Sequence, residues 1–96
     1  MVNRIEAGLY FLDEPEAALS PQRQLSLARV IWDRAQQGAQ FLIATHSPIL
    51  MTYPDAVLLQ LEATGLRPVR LEDTEHYSIT RAVLQNPAAF WRHLRE

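Results

Sequence analysis

The chain has 96 residues, 48% apolar and 21% charged, a balance that allows one small core and carries too little charge for a disordered segment. Its net charge of −2 and pI near 5.9 give no basic field for nucleic acid. Cysteine is absent, which excludes disulfides and thiolate metal sites, and no apolar run approaches the ~18 residues of a membrane span or forms a secretion signal, so a cytoplasmic protein is expected.

The first organised element is Gly8 to Asp13, a short continuous apolar run that reads as a strand buried on both faces and ending on carboxylates. Ser20-Pro21 then offers an N-cap serine and a proline at the first helical position, where its missing N–H costs nothing. The helix is predicted to reach about Gln37 and stop at Gly38. At 100° per residue, Leu25, Leu27, Ala28, Ile31, Trp32 and Ala35 form one side and Arg23, Ser26, Arg29, Asp33, Arg34 and Gln36 the other, which predicts one buried face.

Gln40 to Thr45 is a second apolar strand. Ser47-Pro48 repeats the cap pattern for a short helix through about Thr52. Strand, helix and strand at this spacing form a βαβ unit with parallel strands. Ala56 to Leu61 and Leu66 to Leu71 flank a glycine-containing loop and read as an antiparallel pair, the second an edge strand because of Pro68. A helical pattern runs from Ser78 to about Gln85, and Asn86-Pro87 restarts it for a last amphipathic turn or two. His76 falls in a polar loop, and His93 with Arg92 and Arg95 forms a basic helix end. The fold class is therefore α/β, one βαβ unit followed by a hairpin and C-terminal helices.

Asp13 and Glu14 stand at the C-terminal end of a parallel strand, where open α/β sheets place ligand sites. Two adjacent carboxylates there are costly unless a metal, water or substrate compensates them. The run Leu9-Tyr10-Phe11-Leu12-Asp13-Glu14-Pro15 has the pattern of a Walker B element, with an apolar strand fixing the backbone, an aspartate for Mg²⁺ and a glutamate for the attacking water. No His-Glu-Xaa-Xaa-His pattern accompanies it, which argues against zinc.

Together with Glu14-Pro15-Glu16-Ala17-Ala18-Leu19-Ser20 and with Thr45-His46 at the end of the second strand, this run resembles the P-loop ATPases of the ATP-binding-cassette class. It is most similar to the small bacterial AAA/ABC-like ATPases, whose C-terminal half reads much like Arg4 to Glu16 and whose later residues resemble Thr74 to Arg81. The resemblance implies a partial P-loop NTPase (RecA/ABC-like) sheet over residues 1–96 as a single C-terminal half-domain. It implies Asp13 as the Mg²⁺-side carboxylate, directly or through water, Glu14 as general base or water-orienting group, and His46 as the switch imidazole at the γ-phosphate of ATP. Ala18, Leu19 and Ser20 fall in the D-loop, which in that family faces a partner subunit. Ser20 departs from the aspartate many members carry.

The family's phosphate-binding motif, Gly-Xaa4-Gly-Lys-Ser/Thr, is not possible here. Gly8, Gly38 and Gly65 are far apart, and all nine basic residues are arginine. The glycine-rich signature loop is absent too; the resemblance places it just before Met1 and so implies that Met1 to Ala7 are the end of the helix that follows it. The expectation is the C-terminal part of a longer ATPase, inactive by itself, whose partner is the missing P-loop half or a second ATPase subunit, as in a homodimer. The resemblance places the missing P-loop strand between the histidine strand and the strand at Ala56 to Leu61. An alternative of a different class is a non-catalytic interaction module that kept the fold and works through the D-loop surface or the C-terminal helices.

Overall fold

The computed structural model describes residues 8–96, so the helix end expected at Met1 to Ala7 lies outside it. The chain divides into two compact units, with the boundary between Tyr53 and Pro54.

In the first unit, strand β1 (Leu9–Asp13) leads through a 3-10 turn (Pro15–Ala18) into helix α1 (Pro21–Gln36), which returns to strand β2 (Gln40–Ala44) and a second 3-10 turn (Leu50–Thr52). β1 and β2 pair in parallel, from Leu9 opposite Gln40 to Asp13 opposite Ala44, as the βαβ reading requires. The Gln40 amide donates to the Gly8 carbonyl at one end of the ladder and the Glu14 amide to the Ala44 carbonyl at the other, each at 2.7 Å. The Tyr10 and Phe41 rings stack beside each other, 5.5 Å apart.

Local signals set both ends of α1. Ser20 Oγ accepts from the Arg23 amide at 3.2 Å, and Pro21 opens the helix. At the other end Gly38 adopts φ 97°, the left-handed conformation that glycine enters without steric cost. The Gly38 amide donates to the Ala35 carbonyl and the Ala39 amide to the Arg34 carbonyl, which is the Schellman closure of a helix.

Burial departs from the expectation for β1. Leu9 is 67% and Phe11 62% exposed, and Leu42, paired with Phe11 on the same face, is also exposed. The opposite face carries Leu12, Phe41 and Ile43, all half-buried, and α1 packs against β2. The sheet of this unit has two strands among the described residues, and the face that carries Leu9, Phe11 and Leu42 is the exposed one. The buried side of α1 is correspondingly narrower than its periodicity suggests. Ile31 is buried and Leu27, Ala28 and Ala35 are half-buried, but Leu25 and Trp32 at the margins are exposed. Arg34, from the expected outer side, is half-buried. Trp32 leans on Tyr53 with ring centroids 6.2 Å apart.

Ser47 caps the turn that follows β2, accepting from the Leu50 amide at 3.1 Å. The segment stays a 3-10 turn instead of becoming an α-helix. Tyr53 is extended (φ −51°, ψ 131°) ahead of Pro54, because a residue preceding proline is steered out of the helical region.

In the second unit, β3 (Leu58–Glu62) and β4 (Gly65–Val69) form the expected antiparallel hairpin, with Glu62 opposite Gly65. The connection is only Ala63-Thr64, two residues shorter than the sequence suggests, because Gly65 at φ 121° resumes pairing immediately. Arg67 and Glu62 make an ion pair of 2.9 Å beside this turn. Helix α2 (Glu75–Gln85) starts three residues before its expected point. Thr74 Oγ1 accepts from the Tyr77 amide and donates to the Leu71 carbonyl, and this cap draws His76 out of the expected loop into the first turn. Asn86 then caps α3 (Pro87–Arg95) by accepting from the Ala89 amide at 3.1 Å. Arg92, His93 and Arg95 occupy the last turn of α3, favourable to its dipole.

Candidate functional site

The C-terminal ends of β1 and β2 lie side by side because the strands are parallel, so Asp13 and Glu14 meet the residues that follow Ala44. Glu14 is the hinge of this arrangement. Its backbone is left-handed (φ 47°, ψ 54°), a conformation uncommon for a residue with a Cβ. The bond from its amide to Ala44 O holds it on one side, and Pro15 at the start of the 3-10 turn constrains the other. Glu14 Oε1 thereby lies 3.3 Å from His46 Nε2, with both side chains more than half exposed. These two residues, singled out from the sequence, are brought together.

Asp13 is the last residue of β1 and is exposed. Among the described residues its carboxylate takes part in no hydrogen bond or ion pair, and no three His, Cys, Asp or Glu side chains converge as a metal cage. A single uncommitted carboxylate is nevertheless the donor set Mg²⁺ accepts, since that ion keeps several waters and takes one or two carboxylates with substrate phosphates.

Ala18, Leu19 and Ser20 form the bridge into α1. Ala18 is exposed, Leu19 is extended, and its carbonyl accepts from Gln24 Nε2 at 3.2 Å. Ser20 Oγ is engaged by the Arg23 amide of its own helix.

Sequence reasoning missed Glu16. Its Oε1 accepts from Thr45 Oγ1 at 2.7 Å and its Oε2 from the His46 amide at 3.0 Å. Partial burial pushes the Glu16 carboxyl up, but the Thr45 hydroxyl, the His46 and Glu16 amides and the nearby His46 ring together outweigh burial and hold it below the ordinary value of 4.5. Gln24 and its bond to the capping residue Ser47 were missed as well. Ser47 is buried, and its hydroxyl donates a short bond to Gln24 Oε1. The available signal was the polar run Thr45-His46-Ser47 directly after an apolar strand, which must find partners once β2 is inside the fold.

Residues 3–52 match the sequence profile of the family described as "AAA domain, putative AbiEii toxin, Type IV TA system". That span is just over half of the chain. The protein belongs to this AAA-domain family. No curated protein matches it. Membership relates the chain to the P-loop NTPases. The AAA-matched span takes in β1, α1, β2 and the turn after them, so it contains Asp13, Glu14, Glu16, Gln24, His46 and Ser47. The hairpin, α2 and α3 lie beyond it. Among the described residues no helix is long and apolar enough to cross a membrane.

Proposed function

We propose that this chain supplies the Walker B carboxylates and the switch histidine of an ATP-hydrolysing P-loop ATPase. The observation that carries the reading is the 3.3 Å approach of Glu14 Oε1 to His46 Nε2 at the ends of two parallel strands. A carboxylate beside an imidazole can take up the proton of an attacking water and return it. Glu14 orients that water, and His46 holds Glu14 and faces the γ-phosphate. Asp13 lies one residue back along the strand and holds Mg²⁺, directly or through water. When bound, Mg²⁺ neutralises charge on the phosphates.

The chain has no lysine, so the lysine and glycine loop that cradle the phosphates come from another polypeptide segment, either the P-loop half or a second subunit. Ala18, Leu19 and Ser20 are the surface offered to that subunit. The test is phosphate release from ATP by the chain alone and by the chain mixed with a P-loop-bearing half from the same family. Turnover is expected only in the mixture, and Glu14→Gln lowers it by roughly 10²–10⁴-fold, the range for loss of a positioned base. Ordinary turnover by the chain alone, lost on Glu14→Gln, defeats the claim that it needs a partner. Turnover of the mixture that ignores Glu14→Gln defeats the site assignment.

The exposure of Leu84, Trp91 and Leu94 on the C-terminal helices favours a second reading, a non-catalytic interaction module. That reading predicts that the mixture never hydrolyses ATP and that Trp91→Ala, unlike Glu14→Gln, abolishes its association with the partner.

A further inference from the structure

We infer that Glu16 is the positioning residue of the Glu14–His46 pair, a carboxylate clamp that fixes the two residues after β2 and so decides where the imidazole meets Glu14. The inference rests on the reading above for what the pair does, but not for whether Glu16 holds it.

The ladder between β1 and β2 ends with the Glu14 amide on Ala44 O. Beyond it, residues 45–47 have no strand beside them among the described residues. Glu16 supplies acceptors there, for one side-chain hydroxyl and one backbone amide. One oxygen takes the Thr45 hydroxyl and the other the His46 amide, so neighbouring residues are gripped by one planar group. Thr45 Oγ1 passes the restraint on by accepting from the Ser47 amide at 3.0 Å. Ser47 is tied in turn to Gln24 and Leu50, and Gln24 to Leu19. The backbone that carries His46 is thus anchored to the loop after β1 and to α1, whereas its imidazole stands largely in solvent with Glu14 as a partner. The position of that backbone sets where the ring begins and which of its rotamers reach Glu14, and Glu16 holds that backbone.

The clamp also separates the carboxylates. Asp13, Glu14 and Glu16 fall within four positions, and like charges at that spacing repel. Both Glu16 oxygens are directed at donors on residues 45 and 46, which stabilises its charge, while Glu14 Oε1 is the oxygen that approaches the imidazole Nε2. Glu16 is thereby assigned to positioning and not to metal binding or proton transfer.

NMR on the full chain tests this. In the wild type, the His46 amide is expected to exchange slowly and a nuclear Overhauser contact to join the His46 ring to the Glu14 side chain. Glu16→Ala is expected to speed exchange of the His46 amide by roughly tenfold, as loss of a charge-assisted hydrogen bond implies, and to remove the contact. The Gln40 amide, bonded to Gly8 O, stays protected and reports that the fold is intact. Thr45→Val, which cuts one arm, weakens the contact, and Thr45→Ser, which keeps the hydroxyl, restores it. The inference is overturned if the contact survives in folded Glu16→Ala, or if Thr45→Ser behaves like Thr45→Val. Where Glu16→Ala exposes the Gln40 amide as well, the Val and Ser pair at position 45 decides.

In the reconstituted mixture, Glu16→Ala lowers kcat about tenfold with KM for ATP within roughly twofold, the split expected when a group acts on geometry in the transition state. Loss of the contact with no ATP turnover in any protein, wild type included, upholds the clamp and rejects the ATPase reading. Turnover sensitive to Glu14→Gln but indifferent to Glu16→Ala rejects the clamp alone.

Discussion

Ser47→Ala is the most informative single substitution for the stability of the first unit. Ser47 is only 5% exposed, and its hydroxyl both donates to Gln24 Oε1 and accepts from the buried Leu50 amide at 3.1 Å. Alanine removes both bonds without opening a sizeable cavity. The Leu50 N–H is left buried without an acceptor, at a cost of about 1–3 kcal/mol, whereas half-buried Gln24 can turn to water and loses about 0.5 kcal/mol. The sum is about 1.5–3.5 kcal/mol, or roughly a 10- to 400-fold fall in the folded-to-unfolded ratio. Buried apolar side chains among the described residues are limited to Ile31, Ala39 and Leu50, so there is little reserve to absorb that loss. Urea unfolding followed by Trp32 fluorescence, in a Trp91→Phe background, measures it. A lower midpoint at unchanged slope is expected, with a coupling of at least about 0.5 kcal/mol to Gln24→Ala in a double-mutant cycle. A loss below about 0.5 kcal/mol, or strict additivity with Gln24→Ala, would refute it.

Glu16, held below its ordinary value in the folded chain, contributes stability that is present above the unfolded carboxylate value and is lost as pH falls through its folded value. Urea midpoints should therefore fall between pH 6 and pH 3, and less so in Thr45→Val; parallel curves for the two proteins would count against the Glu16–Thr45 bond. Gly38→Ala forces a side chain into φ 97° and should cost about 1 kcal/mol, seen as a fall in melting temperature of roughly 4–8 °C. Thr74 is buried and caps α2 through the Tyr77 amide, so Thr74→Ala should lose about 1–2 kcal/mol and reduce helical circular dichroism on heating, with Thr74→Ser retaining most of it.

The elements legible in the sequence share one property: their determinants act within a few residues. Ser20-Pro21 and Gly38 delimit α1 by cap and Schellman bonds that span no more than five positions. Asn86-Pro87 starts α3 in the same way. The Thr74 cap is equally local but stands beside the acidic run Glu72-Asp73 and Glu75, whose polarity reads as loop. The order of apolar runs in β1, α1 and β2 is enough to make the strands parallel, and parallel strands bring Glu14 and His46 to the same end. Much of the candidate site therefore followed from the sequence, as did its kinship with the P-loop NTPases.

Burial did not follow. An apolar run such as Leu9 to Leu12 specifies a strand able to be covered on both faces, but whether Phe11 is covered depends on which other segments pack there, and no local pattern carries that information. The partners of Glu16 were hidden for a related reason. Its two bonds reach 29 and 30 positions along the chain, and only strand pairing and the left-handed turn at Glu14 bring them within hydrogen-bonding distance. By itself the sequence determined the elements, their caps and which strand ends carry carboxylate and imidazole, because those depend on short-range backbone bonding and apolar periodicity. Tertiary structure alone decided which sheet face stays open and which carboxylate grips the histidine's backbone, because both are set by distances between residues that the chain keeps far apart.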